Sequence, residues 1–445
     1  MRHSFSRRSL LGTAAMLTLA GCSGDTWLGE KKAPPLPGER KSVLLIEEQV
    51  RADPRLADLK ITLPVPQRNP DWPQSGGNPQ HAMQHLSVAE TIGRAWRADI
   101  GTGSGSRTRL LGTPVAAGGR VFAVDGAGVV SAYEAGNGGR VWSFGPKDVE
   151  EMDRLQGGAC AFDGGRLYVA TGYGTVFAVD AATGRELWRQ PLRAPMRAAP
   201  TVVDGRVLVP TADSQLYALR GDNGEIQWRH AGLFEQAAIL GGASPAVAGN
   251  TVVATYPSGE VVALSLDNGQ PLWNETVLRP RRTLAIGAIT DIVGDPVIDD
   301  GKVIVAGASG EMAAFDLDRG ERQWSVDVTS TQTPWVAGDF IYVLTERNEV
   351  VCMLRQGGRV RWVSPLAELV DPKDPDSRRI RWVGPILASD RLLLASSEGE
   401  VASVSPYTGE VLGRTSLAGA VSVPPIVADG TVYFLTDGGE LLAYR

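Results

Sequence analysis

Short apolar runs alternate with polar positions along most of this chain, and glycine-containing turns separate them. Residues 165–188 show the unit. A strand-like run at 166–170 leads to a turn at Gly172-Tyr173-Gly174. A second run at 175–180 leads to Ala181-Ala182-Thr183-Gly184, and a third ends at Trp188. Alternation with a period of two, broken by tight turns, predicts a meander of short antiparallel strands. The same frame recurs at Val121, Leu167, Val207, Val252, Val303, Ile341, Leu392 and Val432, about 44 residues apart on average. That spacing suits one four-stranded propeller blade.

Six units close on a tryptophan: Trp142, Trp188, Trp228, Trp273, Trp324 and Trp362. The seventh has Gly413 in that place, and the eighth reaches Arg445 before its last strand. Gly93-Arg94-Ala95-Trp96 lies ahead of the first full unit and reads as the missing strand. Its pairing with the C-terminal unit would close the ring and leave no open blade. The predicted fold is all-β: an eight-bladed β-propeller of four-stranded antiparallel blades, closed by an N-terminal strand. Seven blades is the alternative if one weak unit is miscounted.

The run from Ala178 to Trp188 resembles the tryptophan-docking motif of PQQ-type propellers. Its Ala, Gly and Trp recur at 132–142, 218–228, 263–273 and 314–324, with Cys352 and Ser403 in the alanine slot of the next two units. Each indole is expected to pack over a small residue and a glycine of a neighbouring blade, with its N–H on a buried acceptor. Trp96 and the six unit-closing tryptophans are thus read as staples between blades, not as ligand-stacking residues.

The N-terminus departs from the repeat. Arg2, Arg7 and Arg8 precede a short apolar stretch at 10–20, too short for a permanent membrane span, which ends in Leu19-Ala20-Gly21-Cys22. This resembles a lipobox, so residues 1–21 are expected to be a lipoprotein signal peptide and Cys22 the lipidated residue. Ser23 after the cysteine implies the outer membrane under the sorting rule of such lipoproteins. Ser6-Arg7-Arg8-Ser9-Leu10-Leu11 also resembles a twin-arginine signal, which leaves the export route open. Residues 22–90 are expected to form a lipid-anchored tether and an extended segment, with a short helix starting near Ser42. The propeller occupies 91–445.

Composition narrows the function. The net charge of −6 becomes −9 once residues 1–21, with three arginines and no acids, are removed, which argues against nucleic-acid binding. Four histidines and three scattered cysteines give no zinc cluster or disulfide framework. Cys160 and Cys352 sit in distant repeats. No Gly-x-Ser-x-Gly nucleophile motif is followed by plausible partners, and no His-Glu-x-x-His occurs. Asp125, Asp180, Asp213 and Asp316 fall in turns or at strand ends, the ordinary place for aspartate. His81 and His85 have no evident third metal ligand. No catalytic residue, metal or cofactor is predicted. A quinoprotein dehydrogenase, which needs a calcium site, a catalytic aspartate and usually a vicinal cysteine pair, is the alternative function.

In a four-stranded blade, the connection to the next blade leaves from the same face as the turn between strands two and three. The longest connections, at 145–157, 274–292 and 363–381, are therefore expected on one face of the disc, where binding loops belong. The first carries Asp148, Glu150, Glu151 and Asp153. The second carries Arg279, Arg281 and Arg282 among aliphatic residues.

Cys22, the entry Asp71-Trp72-Pro73-Gln74-x-Gly76-Gly77, the eight repeats and the closing strand together resemble the BamB family, lipoprotein subunits of the outer-membrane β-barrel assembly machine. The resemblance spans about residues 71–445. It implies a non-enzymatic scaffold at the periplasmic face of the outer membrane, which binds the periplasmic domains of BamA and other barrel-assembly subunits. The family's contact uses a Leu-Arg pair before a glycine and a spaced aspartate pair. Here Ala238-Ile239-Leu240-Gly241-Gly242 lacks the arginine, and Asp291 matches the first aspartate while Val293 takes the second place. Leu240, Arg281, Arg282 and Asp291 are expected to form one exposed patch.

Overall fold

The computed structural model describes residues 50–106, 108–145, 157–196, 198–235, 241–277, 291–308 and 311–445. Eight four-stranded antiparallel sheets form within them. Blade 1 comprises Val115–Ala117, Arg120–Val124, Val130–Glu134 and Arg140–Phe144, strands a to d. Blades 2 to 7 repeat that order over 158–191, 201–231, 246–276, 297–326, 335–365 and 382–416. The a strands are short and buried and contact those of neighbouring blades, so they face the axis, while the d strands carry most of the exposed positions. Blade 8 takes strands a to c from Ile426–Ala428, Thr431–Leu435 and Glu440–Tyr444. Its d strand is Arg94–Asp99, antiparallel to Glu440–Tyr444. Gly93 and Arg445 exchange N–H···O bonds of 3.1 and 3.0 Å at the junction. The ring thus has eight blades, not seven, and an N-terminal strand closes it.

The tryptophans join consecutive blades. The indole N–H of Trp96 donates to the Ala135 carbonyl at 2.9 Å, Trp142 to Ala181 at 3.0 Å, and Trp188 to Gly221 at 3.0 Å. Trp228 donates to Leu266 at 2.9 Å, Trp273 to Leu317 at 2.7 Å, Trp324 to Arg355 at 2.9 Å, and Trp362 to Pro406 at 3.3 Å. Each acceptor lies where the next blade turns from strand c to strand d. The glycine of that turn lies under the indole: a Cβ on Gly138, Gly184, Gly224, Gly269, Gly320, Gly358 or Gly409 would come within 2.5–2.7 Å of the ring. The small residue of the motif has a different role from the one expected. Ala178 pairs with Trp188 across the ladder of its own blade, as Ala132 does with Trp142 and Cys352 with Trp362. A register shift follows each of these pairs and aims the indole out of its own sheet.

Residues 50–93 hold a single 3-10 turn, Pro54–Leu56, and otherwise run irregularly. They do not form a module of their own. Trp72 and Ala116 exchange backbone hydrogen bonds at blade 1, and the Phe162 N–H of blade 2 donates to Pro73. Val202 of blade 3 donates to the Gln74 side chain, and Val247 and Ile298 of blades 4 and 5 donate to Pro79 and Gln80. Gly338 of blade 6 donates to the Gln84 side chain, and Ser389 and Asp429 of blades 7 and 8 donate to Leu86 and Asn69. This span of about twenty residues follows the ring in order from blade 8 through blades 1 to 7, and its Trp72, held at blade 1, reaches across the axis to stack on Trp335 of blade 6, ring centroids 6.4 Å apart. It covers the end of the channel where the a–b turns lie.

Cys160 and Cys352 are free and buried. No described helix is long and apolar enough to cross a membrane.

Candidate partner-binding face

At the end of each d strand the backbone pairs with the b–c turn of its blade. Gly232 donates to Ser214 at 2.9 Å, Val277 to Gly259 at 2.9 Å, and Leu366 to Asn348 at 2.8 Å. The long connections therefore leave from the face opposite the channel plug.

The connection between blades 3 and 4, 232–245, begins under tight control. Gly232 lies against the Tyr256 ring, where a Cβ would sit 2.5 Å from ring carbons. Tyr256 is held at 2.8 Å from Nδ1 of His230. Burial pushes the Tyr256 phenol up and the His230 imidazole down, so both favour their neutral forms. The next residue, Leu233, donates its backbone N–H to the buried Glu260 carboxylate at 2.6 Å, and Ser258 donates its hydroxyl to the same oxygen at 2.9 Å. The backbone is pinned while the side chains stay in solvent: Leu233 is 64% exposed and Phe234 65%. Adjacent exposed aliphatic and aromatic groups on a fixed backbone are the kind of anchor that protein interfaces bury. The sequence reading missed them. The available signal was an apolar pair directly after a d strand, where the alternation has already ended.

The connection between blades 4 and 5 resumes at Asp291. Asp291 and Ile292 line a small cavity of about 50 Å3 together with Gly241 and Gly242 of the preceding connection and Tyr256 and Pro257. The two connections therefore meet. Asp291 is only 3% exposed, however, so it is not part of a surface patch, contrary to the sequence expectation. The chain folds inward there, and the Asp291 carbonyl accepts the Ala308 N–H of blade 5 at 3.0 Å. Asp295 is also buried and structural. Its carboxylate accepts the Ser244 N–H at 2.7 Å and the Ser75 hydroxyl at 2.6 Å, which ties the two connections to the plug. Leu240, Arg281 and Arg282 lie outside the described residues, as do Cys22 and most of the acidic connection between blades 1 and 2.

The remaining candidates serve the fold. Asp125 accepts the backbone N–H groups of Thr102, Ala127 and Val129. Asp180 accepts from Ala182 and Thr183, and the Thr183 hydrogen bonds lower its pKa. Asp316 accepts from Asp318 and Arg319, and Asp213 accepts the Thr211 hydroxyl. His81 and His85 are buried, with Nδ1 2.7 Å from the carbonyls of Pro296 and Pro64 respectively. Among the described residues no cluster of His, Cys, Asp and Glu could hold a metal ion.

These features define an eight-bladed propeller of the tryptophan-docking class. The solved structure of BamB from Moraxella catarrhalis matches it with a TM-score of 0.68 at 20% identity, covering 80% of this chain and 100% of that one. A quinohemoprotein alcohol dehydrogenase from Comamonas testosteroni matches with a TM-score of 0.61 at 16% identity, covering 85% and 81%. Both likenesses concern the fold. The family model for outer membrane protein assembly factor BamB matches residues 126–364 and 373–445, more than half of the chain, and the chain belongs to that family. The BamB of Yersinia pestis is 26% identical over 362 residues, 77% of this chain and 88% of that protein. The BamB of Legionella pneumophila is 28% identical over 152 residues, which span 34% of this chain and 37% of that protein.

Proposed function

We propose that this protein is a non-enzymatic scaffold of outer-membrane protein assembly, anchored by a lipid on Cys22 and docked on BamA through the face that carries the blade 3–4 and blade 4–5 connections. The observation that carries this reading is the Leu233-Phe234 pair. It is exposed on a backbone fixed by Gly232, Tyr256 and Glu260, and Tyr256 also lines the cavity where the two connections meet. Partner-facing residues on a pre-set backbone lose little conformational freedom on binding. Arg281 and Arg282, which follow in the blade 4–5 connection of the sequence, would set register and association rate.

The test is co-purification of BamA from native membranes. Leu233→Glu combined with Phe234→Glu should lower BamA recovery tenfold or more, which corresponds to about 1.4 kcal/mol. Leu240→Glu with Arg281→Glu should act in the same direction, and charge reversal of Glu150 and Glu151 should do little. Unchanged recovery from the first pair, with an unchanged melt, would remove this face from consideration. The likeness to quinohemoprotein dehydrogenases supplies the competing reading, and a titration of the purified protein with PQQ and calcium separates the two: a scaffold shows no saturable quinone binding.

A further inference from the structure

The plug has a consequence for the opposite mouth of the axial channel. Residues 69–88 lie over the a–b face, which leaves the opposite mouth as the approach to the axis. Near it lies a cavity of about 700 Å3, within the usual range of ligand clefts, roughly 300–1,000 Å3. Its walls come from well-separated parts of the chain. Arg109 precedes blade 1, Arg347 lies in the b–c turn of blade 6, Arg379 and Arg381 lead into blade 7, and Ser422 precedes blade 8. Four arginines therefore converge, against two carboxylates, Glu346 and Glu368. One of those is already engaged: Glu346 accepts the N–H and the hydroxyl of Thr331 at 2.8 and 2.6 Å. Arg109, Arg379 and Arg381 are exposed and form no ion pair with any described residue. In a chain with a net charge of −6, this is a local reversal of sign.

The arginines on the blade 6–7 connection are held in place. Residues 368–380 fold back on themselves, with Val370 donating to Arg378 at 3.0 Å and Ile380 to Glu368 at 2.8 Å. The Asn348 amide and the Trp382 indole clamp the base of this excursion through the carbonyls of Ala367 and Ile380. The carboxylates at its tip, Asp371, Asp374 and Asp376, do not line the cavity, and Arg378 is paired with Glu398. Leu111 and Ile380 add partly exposed aliphatic surface to the lining.

We infer that this mouth is a second binding site, on the same face as the Leu233-Phe234 pair but built from other blades, for an extended acidic segment of a partner protein in which carboxylates alternate with aliphatic side chains. The cavity is too large and too partly apolar for a free carboxylate to fill. A nucleic acid would meet the acidic remainder of the protein. Fixed guanidinium groups favour carboxylates, because they present paired donors in a rigid fork.

The experiment uses the full mature chain and a fluorescein-labelled octapeptide alternating glutamate and leucine, read by fluorescence anisotropy. Arg379→Glu combined with Arg381→Glu should weaken binding at least tenfold with no change in the melt, while Arg319→Glu on the other face should leave it intact. Raising the salt from 50 to 300 mM should weaken the wild-type complex several-fold. Equal binding of a lysine–leucine peptide, undiminished binding by the double variant, or free glutarate competing as well as the peptide would each overturn the assignment. This site and the Leu233-Phe234 contact fail independently, since Leu233→Glu with Phe234→Glu should not alter peptide binding.

Discussion

Replacing Gly269 with alanine tests the idea that the docking glycines are required by the indoles above them. Two substitutions separate that idea from a mere turn preference. Gly269 has φ +69° and Gly301 has φ +70°, so an added Cβ is disfavoured by the backbone to the same degree, roughly 1–2 kcal/mol. At Gly301 the new methyl group would meet nothing within 4 Å, whereas at Gly269 it would lie 2.5 Å from Cε3 of Trp228. That ring cannot retreat cheaply. Trp228 is 8% exposed, and its N–H is fixed on the Leu266 carbonyl at 2.9 Å. Overpacking of this kind costs typically about 1–3 kcal/mol. Gly301→Ala should therefore cost about 1–2 kcal/mol and Gly269→Ala about 2–5 kcal/mol. Urea unfolding followed by circular dichroism reads the difference. Trp228→Leu should remove most of the extra cost, so that the double variant Gly269→Ala/Trp228→Leu is less destabilised than the sum of its parts. Equal midpoints for Gly269→Ala and Gly301→Ala, or full additivity with Trp228→Leu, would refute the docking argument.

Three other outcomes are expected. On the proposed lipid anchor, Cys22→Ala should release a soluble protein or leave an uncleaved precursor in membrane fractionation at high salt, because an acyl group would supply the membrane attachment. Deleting residues 50–93 should lower the melting temperature far more than deleting 23–49, since the former strips hydrogen bonds from all eight blades. Native protein at pH 8 should resist iodoacetamide and react after unfolding in urea, because burial raises the Cys160 thiol to about 12 and pushes Cys352 up as well.

The repeat made the ring legible. A strict spacing of glycine, alanine and tryptophan reports blade number because each blade must present the same surface to the next. The ladder partner of each tryptophan was less accessible. Period-two alternation shows that Ala178 is buried, but not whether the indole beside it belongs to the same blade. The plug left no periodic trace. Many of its contacts use backbone carbonyls, among them those of Pro73, Pro79, Gln80 and Leu86, which any residue supplies, so the sequence offered an extended segment and the motif at 71–77 but not a course over every blade. The site was read least well, because loop burial is set by tertiary contacts. Asp291 matched a family position by spacing, yet its connection turns inward, while Leu233 and Phe234 remain outside because Glu260 holds the backbone and nothing described covers the side chains.

Gly413 shows how closure and stapling depend on each other. A docking tryptophan needs a c–d turn in the next blade, which supplies both the glycine beneath the indole and the carbonyl for its N–H. In blade 8 strands c and d come from opposite ends of the repeat region, with Arg445 and Gly93 facing each other where the turn would be, so an indole leaving blade 7 would have no such platform. The d strand of blade 7, Val411–Ser416, is accordingly exposed throughout, and a Cβ at Gly413 would meet nothing within 4 Å. The join between blades 7 and 8 falls to the N-terminal segment instead. The Ser389 hydroxyl donates to the Val88 carbonyl at 2.7 Å and accepts the Val88 N–H at 2.8 Å. Arg391 donates to the carbonyls of Ala89 and Glu90, both at 2.7 Å. Four residues after Glu90 the same segment becomes strand d of blade 8 and docks Trp96 on blade 1. Splitting the last blade removes one staple, and the strand that causes the split carries its replacement.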